Sequence, residues 1–128
     1  PYIIIRSNSL RQIKNFYKKR IIPLVGVSFK TAKKIKKGSI KESLFSKYED
    51  EGFDNLFSLE QKMNSLFKKI TNGKTSISLR YTLIERLKNV GCPEKIIYEL
   101  IGLANKDTLY KENISLNIKH SWMSHIIN

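Results

Sequence analysis

The stretch SLRYTLIERLKNVGCPEKIIYELI, Ser78 to Ile101, decides the fold class. Leu79, Leu83 and Leu87, with Ile84, recur at three- and four-residue spacing, the period of one helix face. Gly91 stops that helix. Cys92-Pro93-Glu94 opens another, with proline at the first helical position and an acid in the first turn, where the helix dipole favours it. Ile96, Ile97, Leu100 and Ile101 form the inward face of this second helix. Two helices joined by a short Gly-Cys-Pro break are the centre of an α-rich domain.

The same reasoning extends in both directions. Upstream, residues 54–70 carry Leu56, Leu59, Met63, Leu66, Phe67 and Ile70 at helical spacing, with Lys62, Lys68 and Lys69 off the apolar stripe. Asn72-Gly73-Lys74 is a turn. Residues 28–37 predict a short basic helix, with Ser28 as N-cap and Gly38 as its stop. Downstream, Asn105–Leu109 reads as a loop, and Ser115 caps a last helix through Trp122, Met123, Ile126 and Ile127. The N-terminal end changes period. Tyr2 to Arg6 is a β-branched run, and Arg20-Ile21-Ile22-Pro23-Leu24 is a second strand that Pro23 ends or places at an edge. A polar turn around Asn15–Lys18 separates them, so a hairpin or a three-stranded patch is expected. Residues 43–48 read as extended, and Glu49-Asp50-Glu51-Gly52 as an acidic loop. The expected fold is mainly α with a small N-terminal antiparallel β-sheet (α+β), in one domain over residues 1–128.

Charge is the strongest compositional signal. The chain of 128 residues holds 24 Lys and Arg against 11 Asp and Glu, a formal net charge of +13. Such a surface attracts polyanions, of which nucleic acid is the commonest. A solvated Lys-rich surface is the competing explanation. Cys92 is the single cysteine. It cannot close an internal disulfide or build a multi-cysteine metal site, and it fits a reducing cytoplasm. No apolar run approaches the ~20 residues that a membrane-spanning helix needs, and no signal-peptide pattern is present.

Three stretches carry a resemblance. The first is Ile13-Lys14-Asn15 followed by Arg20-Ile21-Ile22-Pro23-Leu24. The second is Ser78-Leu79-Arg80-Tyr81-Thr82, then Arg86-Leu87 and Gly91-Cys92-Pro93-Glu94. The third is Ile101-Gly102-Leu103, then Tyr110, Ser115-Leu116 and Trp122. In this order and near this spacing they resemble the tyrosine recombinases, the phage-type integrase family, over the C-terminal part of the catalytic domain. The resemblance implies that family's fold. It also implies site-specific DNA recombination and integration, in which a tyrosine hydroxyl attacks a phosphodiester and forms a phosphotyrosyl link. No metal and no cofactor is implied.

By the resemblance, Tyr110 matches the nucleophile and Arg80 the second family arginine, a guanidinium that forks onto phosphate oxygens. Lys14 matches the hairpin lysine, the general acid toward the leaving 5′-oxygen. Lys18 and Lys19 lie on the same turn. Each has a plainer explanation: an amphipathic tyrosine at a helix edge, a surface arginine in an ion pair, and one lysine among many. Tyr81 follows Arg80 where the family often has histidine, and reads as packing. The departures are specific. Ile77 stands at the first histidine position and Leu103 at the second His/Trp position, and neither can donate a hydrogen bond. The family's first arginine would precede Pro1. His120 and His125 lie beyond Tyr110 and read as surface residues beside Trp122. The expectation is a truncated, degenerate prophage-type remnant with little or no activity and double-stranded DNA as its partner.

Two other classes compete. A non-catalytic DNA-binding module would use the basic face of Lys14, Lys18, Lys19, Arg20, Lys30, Lys33, Lys34, Lys36 and Lys37, gripping phosphates without sequence preference. Of these, Lys18, Lys19, Arg20, Lys33 and Lys34 are the principal candidates. A protein-interaction fragment would dock through Trp122, Met123, Ile126 and Ile127 onto another recombinase protomer. Packing of those four residues inside the chain is the more ordinary outcome.

Overall fold

A computed structural model describes residues 1–7, 12–38, 53–104 and 114–127. It is mainly helical, with one two-stranded antiparallel sheet, an α+β arrangement. Strand β1 is Tyr2–Ile5 and strand β2 is Arg20–Pro23. Their register pairs Tyr2 with Pro23, Ile3 with Ile22, Ile4 with Ile21 and Ile5 with Arg20. The expected hairpin is therefore present, with no third strand among the described residues. Pro23 cannot donate to the ladder, and Leu24 N–H continues the pairing instead, donating to Pro1 O at 3.1 Å. The turn expected around Asn15–Lys18 is a single 3-10 turn, Phe16–Lys18, closed by Lys18 N–H to Asn15 O at 3.0 Å.

Five helices follow: α1 Gly26–Gly38, α2 Phe53–Ile70, α3 Ser76–Asn89, α4 Glu94–Ile101 and α5 Leu116–His125. Most of their ends follow from local chemistry. Helix α1 begins two residues earlier than its sequence predicts. Ser28 is the third helical residue, and its hydroxyl reaches back to accept from Val25 N–H at 3.2 Å while donating to Val25 O at 2.7 Å. Between α2 and α3, Asn72 takes φ 52° and Gly73 φ 92°, the left-handed turn that the Asn-Gly pair foretells. Helix α3 closes in a Schellman motif. Cys92 N–H donates to Leu87 O at 3.0 Å and Gly91 N–H to Lys88 O at 2.9 Å. Pro93 stands one position earlier than expected, as the residue flanking α4, with ψ 137°. Its carbonyl accepts from Ile96 and Ile97 N–H. Ser115 caps α5 as expected, its hydroxyl accepting from Ile118 N–H. The predicted segments over 43–48, 49–52 and Asn105–Leu109 lie outside the described residues.

The chain forms two compact units. The first comprises Pro1–Lys33 with Ile84–Asn128, and the second Lys34–Leu83. In the first unit, α4 and α5 both pack on β2. Leu87, Cys92, Ile96, Ile97, Leu100 and Ile101, with Pro23, are its buried centre, so the inward face expected of α4 is realised. Truncating a fully buried leucine such as Leu87 costs about 2–5 kcal/mol.

The second unit has no fully buried side chain among its described residues. The stripe expected on α2 is only partly covered. Leu59 and Phe67 are half-buried, whereas Met63, Leu66 and Ile70 are exposed. Burial along α3 rises toward its C-terminal end. Leu79 is exposed, Leu83 and Ile84 are half-buried, and Leu87, inside the first unit, is completely covered. No described helix is long and apolar enough to cross a membrane.

Candidate functional site

The first unit holds the hairpin part of the candidate site. The connection between β1 and β2 is pinned by two polar contacts: Ile13 N–H donates to Ser7 Oγ at 3.0 Å, and Asn15 Nδ2 donates to the Tyr17 hydroxyl at 2.7 Å. These fix the 3-10 turn and leave Lys14, Lys18 and Lys19 exposed around it. The three ammonium groups thus sit on one short connection. Lys19 also has a noncovalent partner of its own.

Arg20 behaves differently. Its Nε donates to Leu100 O at 3.1 Å and its Nη1 to Lys18 O at 2.9 Å. Leu100 lies in the last turn of α4, where carbonyls lack helical partners and the dipole end is negative. The guanidinium is a C-terminal cap supplied from β2. Gly102 ends α4 at φ 70°, and a Cβ there would stand 2.7 Å from the guanidinium carbon of Arg20. The glycine is needed both for its backbone and for the space it leaves. Arg20 was a candidate phosphate ligand on charge alone. In the folded chain its Nε and Nη1 are engaged by backbone carbonyls.

Helix α1 supplies Lys33 and Lys34, both exposed. Lys33 Nζ lies 5.8 Å from the centroid of the Phe29 ring, a cation–π contact within the helix. Lys30, Lys36 and Lys37 are exposed on the same helix.

Arg80 belongs to the second unit. It is the fifth residue of α3, half-buried and engaged by a neighbour. Three residues nearer the start of α3, Ile77 is 55% exposed. In the first unit, Leu103 is 43% exposed. Both positions at which the resemblance calls for a hydrogen-bonding side chain are therefore surface positions filled by apolar residues. Tyr110 lies outside the described residues. His120 and His125 are exposed on α5. His125 Nδ1 lies 2.7 Å from Ser121 O, and its ring tilts against Trp122 with centroids 5.8 Å apart.

The second unit also has a groove of about 310 Å³ at the α2–α3 turn, lined by Phe67, Ile70, Thr71, Lys74, Ser78 and Leu79 among others. Lys74 is its one ionisable lining residue, so it lacks an acid–base pair. Among the described residues no group of three or more His, Cys, Asp or Glu is placed to hold a metal ion. Burial pushes the Cys92 thiol above its ordinary value, which keeps it protonated and a poor nucleophile.

One arrangement had no signal in the sequence. Lys119, in α5, is buried and paired with Glu99 of α4. A lysine next to Ile118 in an amphipathic helix reads as a surface residue. The end of α5 is partly packed within the first unit: Trp122, Met123 and Ile126 are half-buried, whereas Ile127 touches Gly26 at the start of α1 and stays exposed. No family model, curated protein or solved structure matches the chain.

Proposed function

We propose that this chain is a tyrosine-recombinase-like catalytic segment that has lost most of its cleavage chemistry and keeps duplex DNA as its partner. The observation that carries the reading is the contact of Arg20 with Leu100 O against Gly102. It joins the Arg20-Ile21-Ile22-Pro23-Leu24 stretch to the Ile101-Gly102-Leu103 stretch, two of the three segments in which the resemblance resides. A resemblance spread by chance over unrelated loops has no reason to converge on one packed contact eighty residues apart in sequence.

Arg80 is the surviving electrophilic donor in this reading, Lys14 the proton donor and Tyr110 the nucleophile. Cleavage through a phosphotyrosyl link needs several fixed donors around the phosphate, because the transition state gains negative charge. With Ile77 and Leu103 at two donor positions, strand cleavage falls by roughly 100- to 1000-fold for a single lost donor, with further loss that is not fully multiplicative. The reading places the protein in the cytoplasm.

A second reading, a basic DNA-binding module with no catalytic role, is favoured by the exposed lysines of α1. Docking of another protomer through α5 is less favoured, because Trp122, Met123 and Ile126 are already half-buried within the chain.

The test combines a nicked duplex that traps covalent complexes with an equilibrium binding assay. The expected result is salt-sensitive binding and no Tyr110-dependent adduct. An adduct that disappears in Tyr110→Phe would overturn the loss of chemistry. Absence of binding at low salt by a folded chain would overturn the DNA partner.

A further inference from the structure

Helix α1 reads GVSFKTAKKIKKG and contains no acidic residue. At 3.6 residues per turn, Lys30, Lys33, Lys34 and Lys37 fall within an arc roughly 100° wide, and Lys36 projects off its edge. All four are exposed, and none makes an ion pair among the described residues. The stripe contains four like-charge neighbours at three- and four-residue spacing: Lys30 with Lys33, Lys30 with Lys34, Lys33 with Lys37 and Lys34 with Lys37. Such pairs destabilise a helix, and helices held only by their own surface chemistry intersperse acids at this spacing. Here the repulsion is left uncompensated within the helix.

We infer that this stripe is the element that tracks the phosphate backbone of duplex DNA, through about four ammonium–phosphate contacts and without reading base sequence. The inference rests on the DNA-binding reading above and assigns it to one helix. Two observations single out this partner. From Lys30 to Lys37 the stripe advances by seven residue steps, so its four lysines place one positive charge per ~3.5 Å of helix axis. One strand of a duplex presents one phosphate per ~3.4 Å of its own axis. The two charge densities, each projected on its own axis, are therefore comparable. An anionic membrane surface fits less well. Insertion needs a continuous apolar face beside the lysines, but Phe29 and Ala32 are half-buried, which leaves Val27 and Ile35 as the exposed apolar residues of α1. Arg20 lies on β2, outside the stripe, and its Nε and Nη1 already donate to Leu100 O and Lys18 O.

The experiment measures affinity of the full chain for a labelled duplex of arbitrary sequence across a salt series. Three proteins are compared: wild type, the quadruple variant Lys30→Gln, Lys33→Gln, Lys34→Gln, Lys37→Gln, and a control of equal net charge, Lys62→Gln, Lys68→Gln, Lys69→Gln, Lys88→Gln. Glutamine keeps helix propensity close to that of lysine, and far-UV circular dichroism checks that each variant folds. Each neutralised phosphate, by releasing its counterions, contributes about 0.9 to the slope of log affinity against log salt. The α1 variant is expected to lose about 3.6 from that slope, and the control much less. Between 50 and 200 mM salt this amounts to roughly a 100-fold difference in how far affinity falls. Equal losses in both variants would overturn the assignment to α1 and leave the DNA reading standing, since bulk charge would then explain binding. A wild-type chain that ignores DNA but binds phosphatidylserine vesicles would overturn both.

Discussion

Lys119 of α5 and Glu99 of α4 form an ion pair inside the first unit, with side chains only 4% and 10% exposed. Lys119 Nζ donates to Glu99 Oε1, while Glu99 Oε2 is buried without a hydrogen-bond partner among the described residues. The pair joins two helices that both pack on β2. Taking both charges out of water is costly, and one carboxylate oxygen remains unsatisfied, so the net contribution of the intact pair is small. Removing one partner is another matter. Lys119→Met strands a buried carboxylate and is expected to cost about 3–5 kcal/mol, whereas Lys119→Met with Glu99→Leu recovers most of that loss. Urea unfolding midpoints of the single and double variants check this. Equal losses in the two would mean that the pair is not buried in solution.

Arg20 and Gly102 offer a second cycle. Arg20→Ala removes the donors to Leu100 O and Lys18 O and is expected to cost about 1–3 kcal/mol. Gly102→Ala meets both the left-handed backbone, about 1–2 kcal/mol, and the guanidinium. With Arg20 truncated, the second part of that cost vanishes, so the double variant is expected to lose less than the sum of the singles. The slope of DNA affinity against salt should be unchanged in Arg20→Gln, which removes the charge. A drop of about 0.9 would identify Arg20 as a phosphate ligand instead.

Cys92 gives the chain a stability term that depends on pH. Burial raises its thiol above the ordinary 9.0, so the folded chain holds a proton that the unfolded chain releases. The stabilisation is complete below 9.0 and is lost as pH rises toward and through the folded value. Wild-type stability should therefore fall more steeply than that of Cys92→Ala above this point, by at most about 1.4 kcal/mol per pH unit. Parallel profiles for the two proteins would show that the thiol is solvated.

Ile77 and Leu103 are exposed, so their identity is not dictated by packing. Ile77→His with Leu103→His should leave the unfolding free energy within about 0.5 kcal/mol of wild type. A loss above 2 kcal/mol in thermal or urea unfolding would mean that one of them is a core residue.

The hairpin and the helices were legible because their signals are local. A β-branched run beside Pro1, glycines at 73 and 91 and a serine at 115 act within one turn of where they stand. The α2 stripe shows the limit of this. Its period is helical and the helix exists, but periodicity does not say what covers the face, and Met63, Leu66 and Ile70 remain exposed. The candidate site was legible in pieces. The lysines around the 3-10 turn and along α1 are exposed as their charge implies, because a solvated ammonium needs no partner.

What the sequence determined by itself was therefore the order and kind of elements, the basic surface and the residues that carry the resemblance. Which charges face solvent and which are consumed inside was decided only by the tertiary structure. Arg20 and Lys119 look in sequence like any other of the 24 basic residues. One caps a helix eighty residues away and the other is buried against Glu99 twenty residues away. Burial and hydrogen bonding at that range depend on how β2, α4 and α5 pack, and no window of sequence contains that geometry.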